Sequence, residues 1–141
     1  SDLPKTMSEQ ELPQVQGSFG QKPKLVFSGQ QAPAELEVSV IKEGDGQVVE
    51  EGDYIACNYL GQVWDGNVFD NSYDRGQALS FQVGVGQVIA GWDSALVGLK
   101  VGTRVLLSIP PELGYGERGV PQAGIKGGDT LVFVTDVLGI L

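Results

Sequence analysis

Along most of the chain, apolar and polar residues alternate with the two-residue period of half-buried strands, and one stretch switches to helical spacing. In GQVIAGWDSALVGLKVG, residues 86–102, the apolar positions Val88, Ile89, Trp92, Leu96 and Val97 share one helical face, and Gly98 supplies a stop. The flanking segments read as strands. ELEVSVIKEG carries Leu36, Val38 and Val40 on one face and closes on GDG. DYIACNYLGQVW is apolar on both faces, Tyr54 and Ala56 against Ile55, Cys57 and Tyr59. Asp65-Gly66 marks a hairpin that returns Phe69 and Asp70, and the chain continues past a break at Gly76 into a strand with Leu79 and Phe81. TRVLLSIPP alternates Val105, Leu107 and Ile109 before a double proline, and TLVFVTDVLGIL sets Leu131, Phe133 and Val137 on one face. The pattern predicts an α+β fold: an antiparallel, curved sheet of five or six strands wrapped around one short helix.

Two stretches fall outside this pattern. Residues 1–22 are polar and without sustained periodicity, which predicts a tail or arm that is ordered only where it docks. PKLVF can then add an edge strand at the start of a domain spanning 23–141, and SGQQAPA after it is turn material. Residues 112–129, ELGYGERGVPQAGIKGGD, form a Gly-dense loop of a length that usually carries function or motion.

Composition narrows the chemistry. A length of 141 residues suits one domain with a real core, and 21 dispersed glycines suit many tight turns. A formal charge of −9 argues against nucleic-acid binding, which needs clustered Lys and Arg, and otherwise serves solubility. There is no histidine, and Cys57 is the only cysteine. A Ser/His or Cys/His nucleophilic system, a His-based zinc site and an intramolecular disulfide are therefore excluded. Cys57 reads as a buried apolar filler, and no cofactor is implied. No run reaches the roughly 18 apolar residues of a membrane span. Ser1 reads as the residue left after removal of an initiator Met, which favours a cytoplasmic protein, with an extracytoplasmic one if the start has been trimmed.

Tyr59, Phe69 and Tyr115 stand beside turn residues, and with Trp92 they can line a concave apolar pocket with a few polar groups. Taken singly, Trp92, Tyr59 and Phe69 read first as core, and Asp70 as a surface turn residue rather than a charge at a pocket rim. Their motif context decides more. NYLG, FDNS, GQVIAGW and PPELGYG occur in one order, within NYLGQVWDGNVFDNSYDRG, GVGQVIAGWDSALVGLKVGTRVLLSIPPELGYGERG and the closing DTLVFVTDVL. Over roughly residues 34–141 the chain resembles the FKBP-type peptidyl-prolyl cis–trans isomerases.

The resemblance implies a non-covalent isomerase of Xaa-Pro bonds in proline-containing polypeptides, a monomer, with macrolides as inhibitors. It also implies roles. Phe69, Asp70 and Tyr115 are the catalytic candidates, Tyr115 as hydroxyl donor to ligand carbonyls. Tyr59 is an aromatic wall, and Val88 and Ile89 offer main-chain hydrogen bonds. Trp92 is the indole floor, with Phe81, Ile125 and Phe133 as further lining. Arg75 joins Tyr59 and Asp70 in a polar network. The chain departs from the family pattern at Leu79, where many members have an aromatic, at Val120 or a neighbour in place of a loop histidine, and in a slightly longer loop after Pro121. Two other readings use the same residues: a non-catalytic peptide-binding or chaperone module on this fold, and a carbohydrate-binding β module presenting planar exposed rings.

Overall fold

A computed structural model describes residues 12–141, so the first half of the arm expected at 1–22 lies outside the described residues. The elements are β1 (Gln14–Gln16), β2 (Lys24–Val26), β3 (Glu37–Lys42), β4 (Tyr54–Val63), β5 (Val68–Asn71), α1 (Ser72–Arg75), β6 (Leu79–Gln82), α2 (Ala90–Leu96), β7 (Arg104–Ile109) and β8 (Leu131–Ile140). Six strands form one antiparallel sheet in the order β3-β7-β8-β4-β5, with β6 also on β4. β1 and β2 make a separate hairpin, so PKLVF pairs with residues 14–16 and not with the main sheet.

The central strands are buried on both faces, which is why β7 and β8 read as nearly unbroken apolar runs. On the concave face Val105, Leu107, Ile109, Leu131, Phe133 and Val137 pack with Ile55, Cys57, Trp92 and Leu96. On the convex face Leu60, Leu106, Val132 and Val134 form a second core that Leu12 of the arm and Leu25 of β2 complete. Trp64 closes it from the side, 5.1 Å edge-on from Phe27, its indole N–H donating to the Gln30 carbonyl at 2.9 Å.

Several expectations need correction. The helix covers only Ala90–Leu96: Val88 and Ile89 lie before it, and Val97 is extended at its end and 39% exposed instead of packed. Gly91 limits that helix to close contact with β7, since a Cβ there would stand 2.6 Å from Ile109 Cγ2. Val38 and Val40, placed on one face with Leu36, are 43% and 49% exposed, because β3 is the edge strand of the sheet. The turn after β4 places its positive φ on Asp65, at 52°, one residue before the glycine. The stretch before the break at Gly76 holds a one-turn helix that the pattern did not predict, α1 at Ser72–Arg75, capped by the Asn71 side chain and by Gly76 at φ 69°. The loop at 112–129 is pinned by two 3₁₀ turns, Pro111–Leu113 and Pro121–Ala123, and by a bridge between Val120 and Ile125.

The convex core contains one ion pair. Arg104 and Asp136 are opposite each other in the β7/β8 register and both are 0% exposed. Arg104 Nε donates to Asp136 Oδ1 at 2.7 Å and a terminal nitrogen donates to Oδ2 at 2.9 Å. Burial pulls the guanidinium pKa down, but the bond and charge of Asp136 outweigh this and leave it raised. The Ser108 hydroxyl, also buried, has no hydrogen-bond partner among the described residues.

These features have opposite consequences for stability. Asp136→Ala strands a buried guanidinium and is expected to cost about 3–5 kcal/mol in denaturant unfolding. Ser108→Ala removes an unsatisfied group and should leave the unfolding midpoint unchanged or raised. Burial, with the Asp136 charge adding, pushes the Cys57 thiol from 9.0 to about 12. Its folded pKa lies above its unfolded one, so its contribution to stability is complete below pH 9.0 and is lost as pH rises towards about 12. A thiol reagent should leave native protein unmodified at neutral pH and react on unfolding.

Candidate active site

β4 has two partners along its outer edge. β6 pairs with Tyr54–Cys57, and β5 pairs with Leu60–Gln62. At Asn58 and Tyr59, between them, no strand among the described residues pairs with this edge, and α1 fills the gap. The Tyr59 backbone N–H donates to Ser72 Oγ at 2.9 Å, and that hydroxyl donates to Asn58 Oδ1 at 2.8 Å. A side chain thus supplies the ladder bond that a strand would have made. The splice ends β5 just beyond Asp70 and starts α1 so that Arg75 leaves its last turn towards Tyr59.

The resulting polar group is compact. The Tyr59 hydroxyl donates to Asp70 Oδ2 at 2.6 Å, Arg75 donates to Asp70 Oδ1 at 2.6 Å, and its second terminal nitrogen donates to the Tyr59 oxygen at 2.9 Å. The guanidinium also lies 5.6 Å from the Tyr59 ring centroid. Both Asp70 oxygens are engaged, so the carboxylate plane is fixed. With side-chain exposures of 47% and 43%, the Arg75–Asp70 pair contributes orientation more than stability. Desolvation and the bond to Asp70 raise the Tyr59 pKa above its ordinary 10.0, against the opposing pull of Arg75. The phenol therefore remains a proton donor at neutral pH.

Beneath this group the aromatics form one assembly. Trp92 stacks against Phe133 at 5.4 Å and Phe81 at 5.2 Å, with Tyr59 tilted at 5.2 Å. Phe69 meets Phe133 edge-on at 5.7 Å. Trp92 is 4% exposed and its indole N–H donates to Thr135 Oγ1 at 2.9 Å, so its polar edge is tied into the core. Gly61 makes room for the edge-on pair, because a Cβ there would fall 2.8 Å from both Phe69 Cζ and Phe133 Cε2. The segment preceding α2 is held by Asp93, which accepts from the Gly84 and Gly86 N–H groups at 2.6 and 2.9 Å.

The structure thus brings Tyr59, Phe69, Asp70, Arg75, Phe81, Trp92 and Phe133 together, and Val88, Ile89, Leu79 and Val120 pack as half-buried neighbours of the same core. Ile125 is buried in it, whereas Tyr115 stands on the loop at 39% exposure. Sequence reasoning missed Gly61, Ser72, Tyr73, Thr135 and the Arg104–Asp136 pair. One signal was available: single charges of opposite sign inside two otherwise apolar strands, TRVLLSIP and TLVFVTDVL.

A curved sheet closed on one short helix, with an Asp/Arg/Tyr group at the edge of stacked aromatics, combines the apolar surface and the few fixed polar groups that small-ligand and peptide sites use. Residues 46–138 match the family FKBP-type peptidyl-prolyl cis–trans isomerase. The chain is 44% identical over 121 residues to an FK506-binding protein of Streptomyces anulatus, covering 85% of this chain and 98% of that one. It is 48% identical over 90 residues to peptidyl-prolyl cis-trans isomerase FKBP15-2 of Arabidopsis thaliana, 64% of this chain and 55% of that one. The crystal structure of AtFKBP13 superposes with a TM-score of 0.71 at 35% identity, covering 78% of this chain and 96% of that one. The chain belongs to the FKBP-type peptidyl-prolyl cis–trans isomerase family.

Gly61→Ala is expected to force Phe69 away from Phe133 and to destabilise by about 1–3 kcal/mol in chemical denaturation. Val would be worse than Ala.

Proposed function

We propose that the protein accelerates rotation about Xaa-Pro bonds by holding the proline over Trp92, between Tyr59, Phe69 and Phe133, without a covalent intermediate. The observation that carries this reading is the Tyr59–Asp70–Arg75 group fixed at the edge of the buried aromatic assembly. An Xaa-Pro bond crosses a barrier of about 18–20 kcal/mol because amide resonance must be broken. The planar amide is charge-separated and favours water, whereas the twisted one has lost that separation. A dry apolar pocket therefore binds the twisted form better than the planar one, and only such a difference accelerates the reaction. Each tenfold in rate requires about 1.4 kcal/mol of it.

In this mechanism Asp70 acts through its field on the twisted imide, its position set by Tyr59 and Arg75. The Ile89 amide and the Tyr115 hydroxyl hold flanking carbonyls of the peptide, with Val88, Phe81 and Ile125 as apolar lining. Relatives named as FK506-binding proteins support macrolide binding in the same pocket. Leu79 and Val120 alter its rim, so macrolide affinity is the property they set. That the protein acts as a monomer in the cytoplasm is part of the same proposal.

In a proline-limited refolding assay, wild type should accelerate the slow phase, and Phe69→Ala should lose about tenfold or more of that activity. Equal rates for the two proteins would remove the pocket from the mechanism. An inactive wild type that still binds prolyl peptide would favour the non-catalytic module. With no histidine and the Tyr59 pKa raised, kcat/KM should be level between about pH 6 and 8. A bell-shaped profile centred there would show a titrating group this mechanism lacks.

A further inference from the structure

α1 is four residues long, far below the length at which a helix holds itself together, so its position comes from its tertiary anchors. Each of its residues has a different one. Ser72 is bonded to β4, and the Asp74 carboxylate takes Lys22 Nζ of the arm at 3.0 and 3.1 Å. The Tyr73 hydroxyl donates to Asp136 Oδ2 at 2.8 Å on the convex side. Arg75, two residues further and so on the opposite side of the turn, reaches Asp70 and Tyr59.

The arm encloses the convex anchor. Arg104 donates to the carbonyls of Gly17, at 2.9 Å, and Gln21, while it holds Asp136. The Gly20 N–H donates to Asp136 Oδ2 at 2.8 Å, and Arg104 reaches the Tyr73 oxygen at 3.2 Å. The carboxylate that receives Tyr73 is therefore oriented by the arm on one side and by Arg104 on the other. The half-exposed Arg75–Asp70 pair is too weak to place α1 by itself.

We infer that the arm segment Gly17–Lys22 positions the pocket: docked on Arg104 and Asp136, it fixes Tyr73 and Asp74, and through α1 sets Arg75 against Asp70 and Tyr59. Tyr73, Asp136, Arg104 and Lys22 touch no substrate and act as positioning residues. The activity consequences rest on the proposed isomerase function. The geometric consequence for Arg75 does not.

The test uses the full chain with Tyr73→Phe, which removes one hydroxyl, and Lys22→Ala, a surface change that leaves the core intact. Two quantities are read: restricted rotation of the Arg75 guanidinium by ¹⁵N NMR, and kcat/KM on a proline-containing tetrapeptide. Tyr73→Phe is expected to free the guanidinium and lower kcat/KM by about tenfold, because a small misplacement at a pocket is costly. Lys22→Ala should move both in the same direction by a smaller factor, and it carries the test if Tyr73→Phe does not fold. In an Arg75→Ala background, Tyr73→Phe should lower kcat/KM no further, which a merely structural role would not produce. An Arg75 signal unchanged in the variants, or an equal proportional loss of activity with and without Arg75, would overturn the inference. An inactive wild type would overturn the isomerase reading alone, since the Arg75 signal still decides this one.

Discussion

The Tyr59 backbone N–H needs a hydrogen-bond acceptor, and among the described residues no strand pairs with that edge of β4 at this point. β5 and β6 occupy the two ends of the β4 edge, and the stretch between them is closed by the Ser72 hydroxyl, itself fully buried. An unpaired backbone donor at this depth would cost about as much as a lost hydrogen bond, on the order of 1–3 kcal/mol. Satisfying it with a serine from a one-turn helix has a geometric result. The chain leaves the sheet at Asn71, turns once and returns at Leu79, and Asp70 and Arg75 emerge on either side of the turn facing the Tyr59 side chain.

The same sheet carries cores of different character on its faces. The concave one is aromatic around Trp92 and supports the pocket. The convex one combines aliphatic packing with the buried Arg104–Asp136 pair, which is bonded further by Tyr73 and by backbone groups of the arm. A buried pair tolerates its desolvation better the more such bonds it makes. The bonds that make Arg104 tolerable also fasten the arm and α1, so the convex side and the pocket share an anchor.

Much of the concave side was legible as periodicity. Val105, Leu107 and Ile109 face Leu131, Phe133 and Val137 because side chains alternate along strands and these strands are antiparallel. The residues of the pocket were legible through spaced motifs and not through pattern, since a tyrosine at a strand end looks the same in a core as in a site. Alternation put Val38 and Val40 on one face but could not show that both are exposed, because that depends on β3 being the edge strand of the sheet. It was silent on the convex core, where apolar residues on both faces hide the period.

Residue order alone therefore specified the strands of the main sheet, the presence of one short helix and the chemical limits set by no histidine and one cysteine. Those are local properties, carried by residue type and by spacing along a single element. Strand pairing settled that Ser72–Arg75 is a helical turn, that Arg104 and Asp136 meet, and how the Asp70, Arg75 and Tyr59 side chains bond to one another. These depend on which hydrogen-bond acceptor lies nearest once the strands have paired, and pairing is a relation between segments far apart in the chain.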